Sequence, residues 1–236
     1  MMTPTLNEIA YNILNLTHPK STVSDSINID VIKFNIKAIR AQLIKQDSNK
    51  GYTADSYIIQ DLGCVSVIPV DRGECCSVDI GCEFMRTELP IPSTIELHDS
   101  ELLTRVGPVD KIARPYDQVK YERVPFLGNN KFTKNLIKAF RIHKGGYIYL
   151  STPKNHDSAL LTKINIQGVF EDPELAADFS TCEGNVCYSD DTPFPVKAHM
   201  IPTITDMVIK KLGLVLNSNI DVDTDNKTNF KPTTIQ

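Results

Sequence analysis

Apolar residues near the start of the chain recur three and four positions apart: Leu6, Ile9, Ile13 and Leu16. That spacing stacks them on one face of a helix, predicted over about 6–17. Thr5 and Glu8 stand at capping-box spacing ahead of it, and His18-Pro19 stops it. A second helix is predicted over about 29–46, with Asn28 as N-cap and Ile32, Ile36, Ile39 and Leu43 as its apolar face. Lys33, Lys37, Arg40 and Lys45 sit elsewhere on that cylinder, which reads as a solvated basic face. A third periodic run, Ile201, Ile204, Val208, Leu212 and Val215, predicts a helix from about 201 to 212 or 216, with Gly213 obscuring its end.

Between these helices the pattern changes. YIIQDLGCVSVIPVD, STIEL, LLTRVGPV, QVKYERVPF, AFRIHKGGYIYLS and TKINIQGVFED are short runs rich in β-branched and aromatic residues, punctuated by Pro, Gly, Asn and Asp. They leave no room for crossover helices, so the sheet is expected to be mostly antiparallel, with a hairpin at Gly145-Gly146. EDPELAADF predicts a short helix, with Asp172 as cap and Pro173 at its first position. The expected fold is α+β: a helical core of two N-terminal helices and one C-terminal helix, with an inserted, mostly antiparallel β-rich region. The corresponding divisions are a helical hairpin (1–50), the β-rich insertion (51–170), a C-terminal helical part (171–216) that packs on the first helices, and an extended tail (217–236).

Composition adds constraints. In 236 residues, 41% hydrophobic and 23% charged content describe a globular chain able to bury a core without staples. A net charge of −4 gives no overall pull towards nucleic acid or acidic membranes. MMTPTLNEIAYNILNL lacks the basic start and cleavage site of a secretory signal, and no apolar run approaches the roughly eighteen residues of a membrane helix. A reducing cytoplasm is the expected folding compartment.

The charge is segregated. Residues 111–154 hold ten Lys and Arg against two carboxylates, whereas 171–191 hold seven carboxylates and no Lys or Arg. Three arrangements fit: the stretches pair within one subunit, they join neighbouring copies head to tail, or the basic stretch contacts nucleic acid. The third lacks the clustered aromatic platform of a single-strand binder.

Motifs for catalysis are missing from the text of the chain: no P-loop (GNNKFTKN has the wrong spacing), no GxGxxG, no HExxH and no GxSxG. The five His residues are scattered. No cofactor is expected. Six cysteines include Cys64, Cys75, Cys76 and Cys82, but no CxxC pair. Cys64, Cys75 and Cys82 are the candidate metal ligands, a disulfide is a second option, and reduced packing sulfurs are the favoured reading.

Several stretches resemble, in order, a family of virion structural proteins from crAss-like podoviruses of Bacteroidetes: TLNEIAYNILNL, IKFNIKAIRAQLIKQD, CVSVIPVDRGECCSVDIGCEFMRTELPIPSTIEL, INIQGVFEDP and CYSDDTPFPVKAHMIPTITDMVIKK. The resemblance spans nearly the whole chain. It implies a non-enzymatic head–tail connector ring (adaptor) protein, expected to be twelve-fold, that docks tail components to the portal and lines the DNA channel. Its partners would be other copies of itself, the portal protein, neighbouring tail rings and packaged double-stranded DNA, with no membrane. Candidate subunit contacts are Lys120, Arg123, Lys131, Lys134, Lys138, Arg141, Glu171, Asp172, Glu174 and Asp178. The tail, with Asn219, Asp221, Asp223, Asn226 and Phe230, would grip the portal or a ring. Two alternatives stand beside this: a nucleic-acid-binding accessory protein using Lys33, Lys37, Arg40 and the 111–154 stretch, and a zinc-stabilised module built on the cysteines.

Overall fold

The computed structural model describes residues 4–17, 28–52, 54–70, 83–97, 101–126, 136–141, 146–152, 161–179 and 189–218. Helix α1 spans Leu6–Thr17 and α2 spans Ile29–Asn49. The predicted capping box forms reciprocally: the Glu8 N–H donates to Thr5 Oγ1 (3.1 Å), and the Thr5 N–H donates to Glu8 Oε2 (2.9 Å). Asn28 caps α2 by accepting from the Asp30 N–H at 3.0 Å. The sheet strands are β1 (Gln60–Val70), β2 (Glu83–Thr87), β3 (Leu103–Pro108), β4 (Asp117–Gln118), β5 (Lys138–Arg141), β6 (Ile148–Thr152) and β7 (Lys163–Gly168). Helix α3 (Pro173–Ala177) carries the expected Asp172 cap, which accepts from the Glu174 N–H. The final helix, α4 (Met200–Ser218), continues through Gly213.

The fold is α+β, as the pattern predicts. Strand order is β3-β7-β1-β2-β6-β5-β4, and every pairing is antiparallel except β4 with β5. The β5–β6 hairpin falls where expected; Gly146 has φ +71°, and 142–145 lie outside the described residues. The sheet then curls until its two ends meet. The Tyr116 N–H donates to Val106 O of β3 at 2.8 Å, and the Gln118 side-chain amide reaches Leu103 O at 3.3 Å. The same short segment pairs with β5, and the Val119 N–H donates to Ala139 O. Residues 116–119 thus bridge the outer strands, and the result is barrel-like, with less of the sheet edge left exposed.

Three runs behave differently from their strand grammar. STIEL makes isolated bridges, Thr94 with Phe170 and Glu96 with Glu101, because Pro90 and Pro92 ahead of it offer no N–H to a ladder. QVKYERVPF contributes only Gln118 to the two-residue β4 and then forms a 3-10 helix, Tyr121–Phe126, which contains Pro125. Conversely, β2 forms in EFMRT, outside the runs that carry strand grammar. It lies between β1 and β6 and sends Phe84 and Met85 into different apolar clusters, so it lacks the half-polar alternation that marks a strand.

The core has three parts. Leu6, Ile9 and Ile13 of α1, Ile32, Ile36 and Ile39 of α2, and Ile204, Val208 and Leu212 of α4 form one cluster. Ile58, Ile95, Leu102 and Val169 from the sheet end join it, so the helices close on one another and on the barrel together. The barrel interior holds Leu62, Val65, Val67, Val106, Leu150, Ile164 and Ile166. A smaller cluster packs Phe84 edge-on to Phe140 (5.7 Å between centroids), with Phe140 stacked on Tyr149.

Arg40 joins the first two parts. It sits on α2 and is fully buried, which corrects its placement on a solvated basic face. Its Nε donates to Pro195 O (2.6 Å), its Nη1 donates to Phe170 O (2.9 Å), and its guanidinium lies 5.7 Å from the centre of the Phe194 ring. Burial draws its pKa down to about 9, and the Asp172 charge pulls the other way, so it is charged at neutral pH. Arg40→Ala leaves two carbonyls unpaired and a cavity, and is expected to cost about 3 kcal/mol or more. Arg40→Met fills most of the space but pairs neither carbonyl, and should cost less. Denaturant unfolding of the two variants checks the order; equal, small losses would count against this account.

Candidate functional site

The surface is built by loops and helix flanks around this frame. A β-bulge interrupts β1, where the register with β7 shifts between Asp61 and Cys64. Gly63 adopts φ +70°, a conformation that suits glycine. The shift lets Leu62 and then Val65 both face the barrel interior. Asp61 holds the bulge. Its Oδ1 accepts from the Gly63 N–H (2.9 Å) and Asn165 Nδ2 (2.7 Å), and its Oδ2 accepts from Gln167 Nε2 (2.9 Å) and Lys111 Nζ (2.6 Å). Partial burial pushes the Asp61 carboxyl up, but these donors outweigh it and hold the pKa below the ordinary carboxylate value.

Lys111 belongs to the loop that follows β3, and other bonds fix that loop. Arg105 Nη2 donates to Ala113 O (2.8 Å) and Asp110 O (3.2 Å). Asp110 Oδ1 accepts from the Ile112 N–H at 3.0 Å. The returning chain passes so close to Gly107 that a Cβ there would lie 3.0 Å from Pro115 Cα. At the tip of this braced loop, Ile112 is 96% exposed. Arg114, two residues on, is 3.4 Å from Asp117 and 72% exposed. Sequence reasoning missed Asp61, Arg105 and Ile112; the Asp-x-Gly spacing at 61–63 was the available signal for the bulge.

Four carboxylates of the acidic stretch, Asp172, Glu174, Asp190 and Asp191, are engaged within the subunit by the N-terminal helices. Lys37 of α2 pairs with Glu174 Oε2 (2.5 Å) and Asp172 Oδ1 (3.5 Å), and Lys33 pairs with Asp190. Asn7 Nδ2 of α1 donates to Asp191 Oδ1 at 3.0 Å. The basic flank of α2 is therefore turned inward onto Asp172, Glu174 and Asp190, and Lys33, Lys37 and Arg40 do not present the phosphate-binding face that the nucleic-acid alternative required. Of the other candidates, Lys120, Arg123, Glu171 and Asp178 are exposed, while Lys138 is buried. Arg141 lies in β5. Lys131, Lys134 and the tail positions Asn219, Asp221, Asp223, Asn226 and Phe230 lie outside the described residues.

Cys64, on β1, is disulfide-bonded, which corrects the preference for reduced sulfur at that position and withdraws it from metal ligation. Cys75 and Cys82 lie outside the described residues. Among the described residues, no group of three or more His, Cys, Asp or Glu side chains is arranged to hold a metal ion, and no helix is long and apolar enough to cross a membrane.

The geometry supplies a frame locked from within, a rigid apolar tip and segregated surface charge, features that suit a protein acting through contacts with other proteins. The family model for phage tail ring protein 2 matches residues 8–230, and the chain belongs to that family of bacteriophage structural proteins. It is similar to Ring protein 2 of Bacteroides phage crAss001, with 27% identity over 214 residues covering 88% of this chain and 90% of that protein.

Two outcomes follow. Asp61 has a depressed folded pKa, so its stabilisation is full above the unfolded value of about 3.9 and is lost as pH falls through the folded value. Asp61→Asn should therefore be less stable than the parent at pH 7, with the gap closing below about pH 4; denaturant midpoints across pH read this directly. Lys37→Glu puts like charge beside Asp172 and Glu174 and should lose about 1–2 kcal/mol, measured the same way, with the loss reduced when Asp172 and Glu174 are changed to Asn and Gln.

Proposed function

We propose that this chain forms a homo-oligomeric ring of about twelve copies in the portal–tail connector, where it docks tail components to the portal and lines the channel for double-stranded DNA. Membership of the phage tail ring protein 2 family across residues 8–230 carries this reading. Its mechanism is geometric and non-enzymatic. Each subunit is a block whose helices and barrel are tied by Arg40, so surface loops hold fixed positions for neighbours. Lys120, Arg123, Glu171 and Asp178 stand exposed as candidate subunit contacts. Segment 217–236 is assigned to gripping the portal or an adjacent ring, DNA contact is without sequence specificity, and assembly takes place in the host cytoplasm before the subunit resides in the virion.

The test is the mass of the purified chain in solution, alone and with the portal, by light scattering. The expected result is a defined ring near twelve copies, formed alone or on the portal. A persistent monomer indifferent to the portal would overturn the proposal.

A further inference from the structure

Helix α2 buries one face and leaves the opposite one uncovered. Ile32, Ile36 and Ile39 enter the helical core, and on one flank Lys33 and Lys37 are held by Asp190, Asp172 and Glu174 of the same subunit. At about 100° per residue, the far side of the helix carries Asp30, Val31, Phe34, Ala38, Ala41 and Lys45 within about a third of its circumference. Val31 is 47% exposed and Phe34 68%. Asp30, Ala38 and Lys45 are exposed as well, and Ala41 is half-buried. Among the described residues, neither Asp30 nor Lys45 has an ion-pair partner. The stripe is therefore apolar along its middle, acidic at its start and basic about 22 Å further on.

We propose that two copies of the unassembled chain pair through this stripe as a twofold dimer, with their α2 helices antiparallel. In a twofold contact residue i meets residue j, and j meets i. One register satisfies every group on the stripe. With Asp30 of each copy opposite Lys45 of the other, Phe34 falls opposite Ala41, and Ala38 lies beside the axis. The largest side chain then meets a small one, and the alanines at the crossing let the helices approach closely. Charge selects the orientation, because a parallel pairing would set Asp30 on Asp30 and Lys45 on Lys45. The stripe thus complements itself, which makes a second copy its occupant. One helix face offers less than the roughly 800 Å² per partner of a stable complex, so the contact belongs to the reversible class that later contacts displace. It stands apart from the ring reading, since a closed ring joins its copies head to tail.

The test is sedimentation equilibrium of the full chain over a concentration series, and the expected result is a reversible monomer–dimer step. Phe34→Ser alters an exposed side chain with little change in helix propensity, so thermal unfolding should stay unchanged while dimerisation weakens about tenfold or more. Asp30→Lys and Lys45→Asp each set like charge against like and should each weaken pairing. An equimolar mixture of these two variants should form the dimer again, because each supplies the charge that the other lacks. A loss of fold stability would give no such rescue. A dimer untouched by Phe34→Ser, or charge variants that mixing does not rescue, would overturn the pairing. A wild-type chain that passes from monomer to ring without a dimer would overturn it and leave the ring reading standing. A dimer that never yields a ring, with or without the portal, would do the reverse, and a chain that stays monomeric in both conditions would overturn both.

Discussion

The architecture depends on one buried cation. Arg40 reaches from the middle of α2 to the carbonyl that ends the barrel, at Phe170, and to the carbonyl of Pro195 on the approach to α4. These three places are distant in sequence, and without Arg40 the two carbonyls would lose that partner. A hydrophobic side chain could fill the volume but could not bond two carbonyls. A lysine could not fork to both. The charge costs solvation, which Asp172 and the Phe194 ring partly offset.

Around Arg40, the flank of α2 arranges the surrounding charge. Lys33 and Lys37 draw Asp190, Asp172 and Glu174 onto the helix, so the acidic segment becomes part of the frame. These partly buried pairs do more to fix where α3 and the 190s lie than to add stability, since desolvation cancels much of their attraction. For a ring subunit, positional accuracy matters: a small angular error in each copy accumulates around the circle and prevents closure. Closure of the sheet through residues 116–119 serves the same end, because it leaves less exposed ladder for unintended strand pairing.

Much of the local structure was legible in the text of the chain. The capping box at Thr5 and Glu8, the Asn28 and Asp172 caps, the hairpin near Gly146 and the apolar faces of α1, α2 and α4 all follow from rules acting over a few residues. The strand runs failed where context overrode composition. QVKYERVPF has strand-forming residues, yet only Gln118 lies in a strand, and the run from Tyr121 onwards is a 3-10 helix. EFMRT shows no alternation, because both its faces meet apolar clusters.

The candidate surface was legible only in part. Segregated charge is a property of the sequence, and it pointed to the 171–191 stretch. Which carboxylates face inward is set by Lys37, a residue more than a hundred positions away. The same holds for Arg40, whose spacing among Lys33 and Lys37 reads as a solvated face until the 170 and 195 carbonyls are brought to it. Ile112 looks like any core aliphatic until Arg105, Asp110 and Asp61 place it at a loop tip. The sequence by itself determined the helices, their caps, most strands and the balance of charge, because those depend on neighbours along the chain. Only the tertiary structure decided the closure of the sheet, the buried arginine and the outward isoleucine, because those depend on groups that meet after distant segments pack.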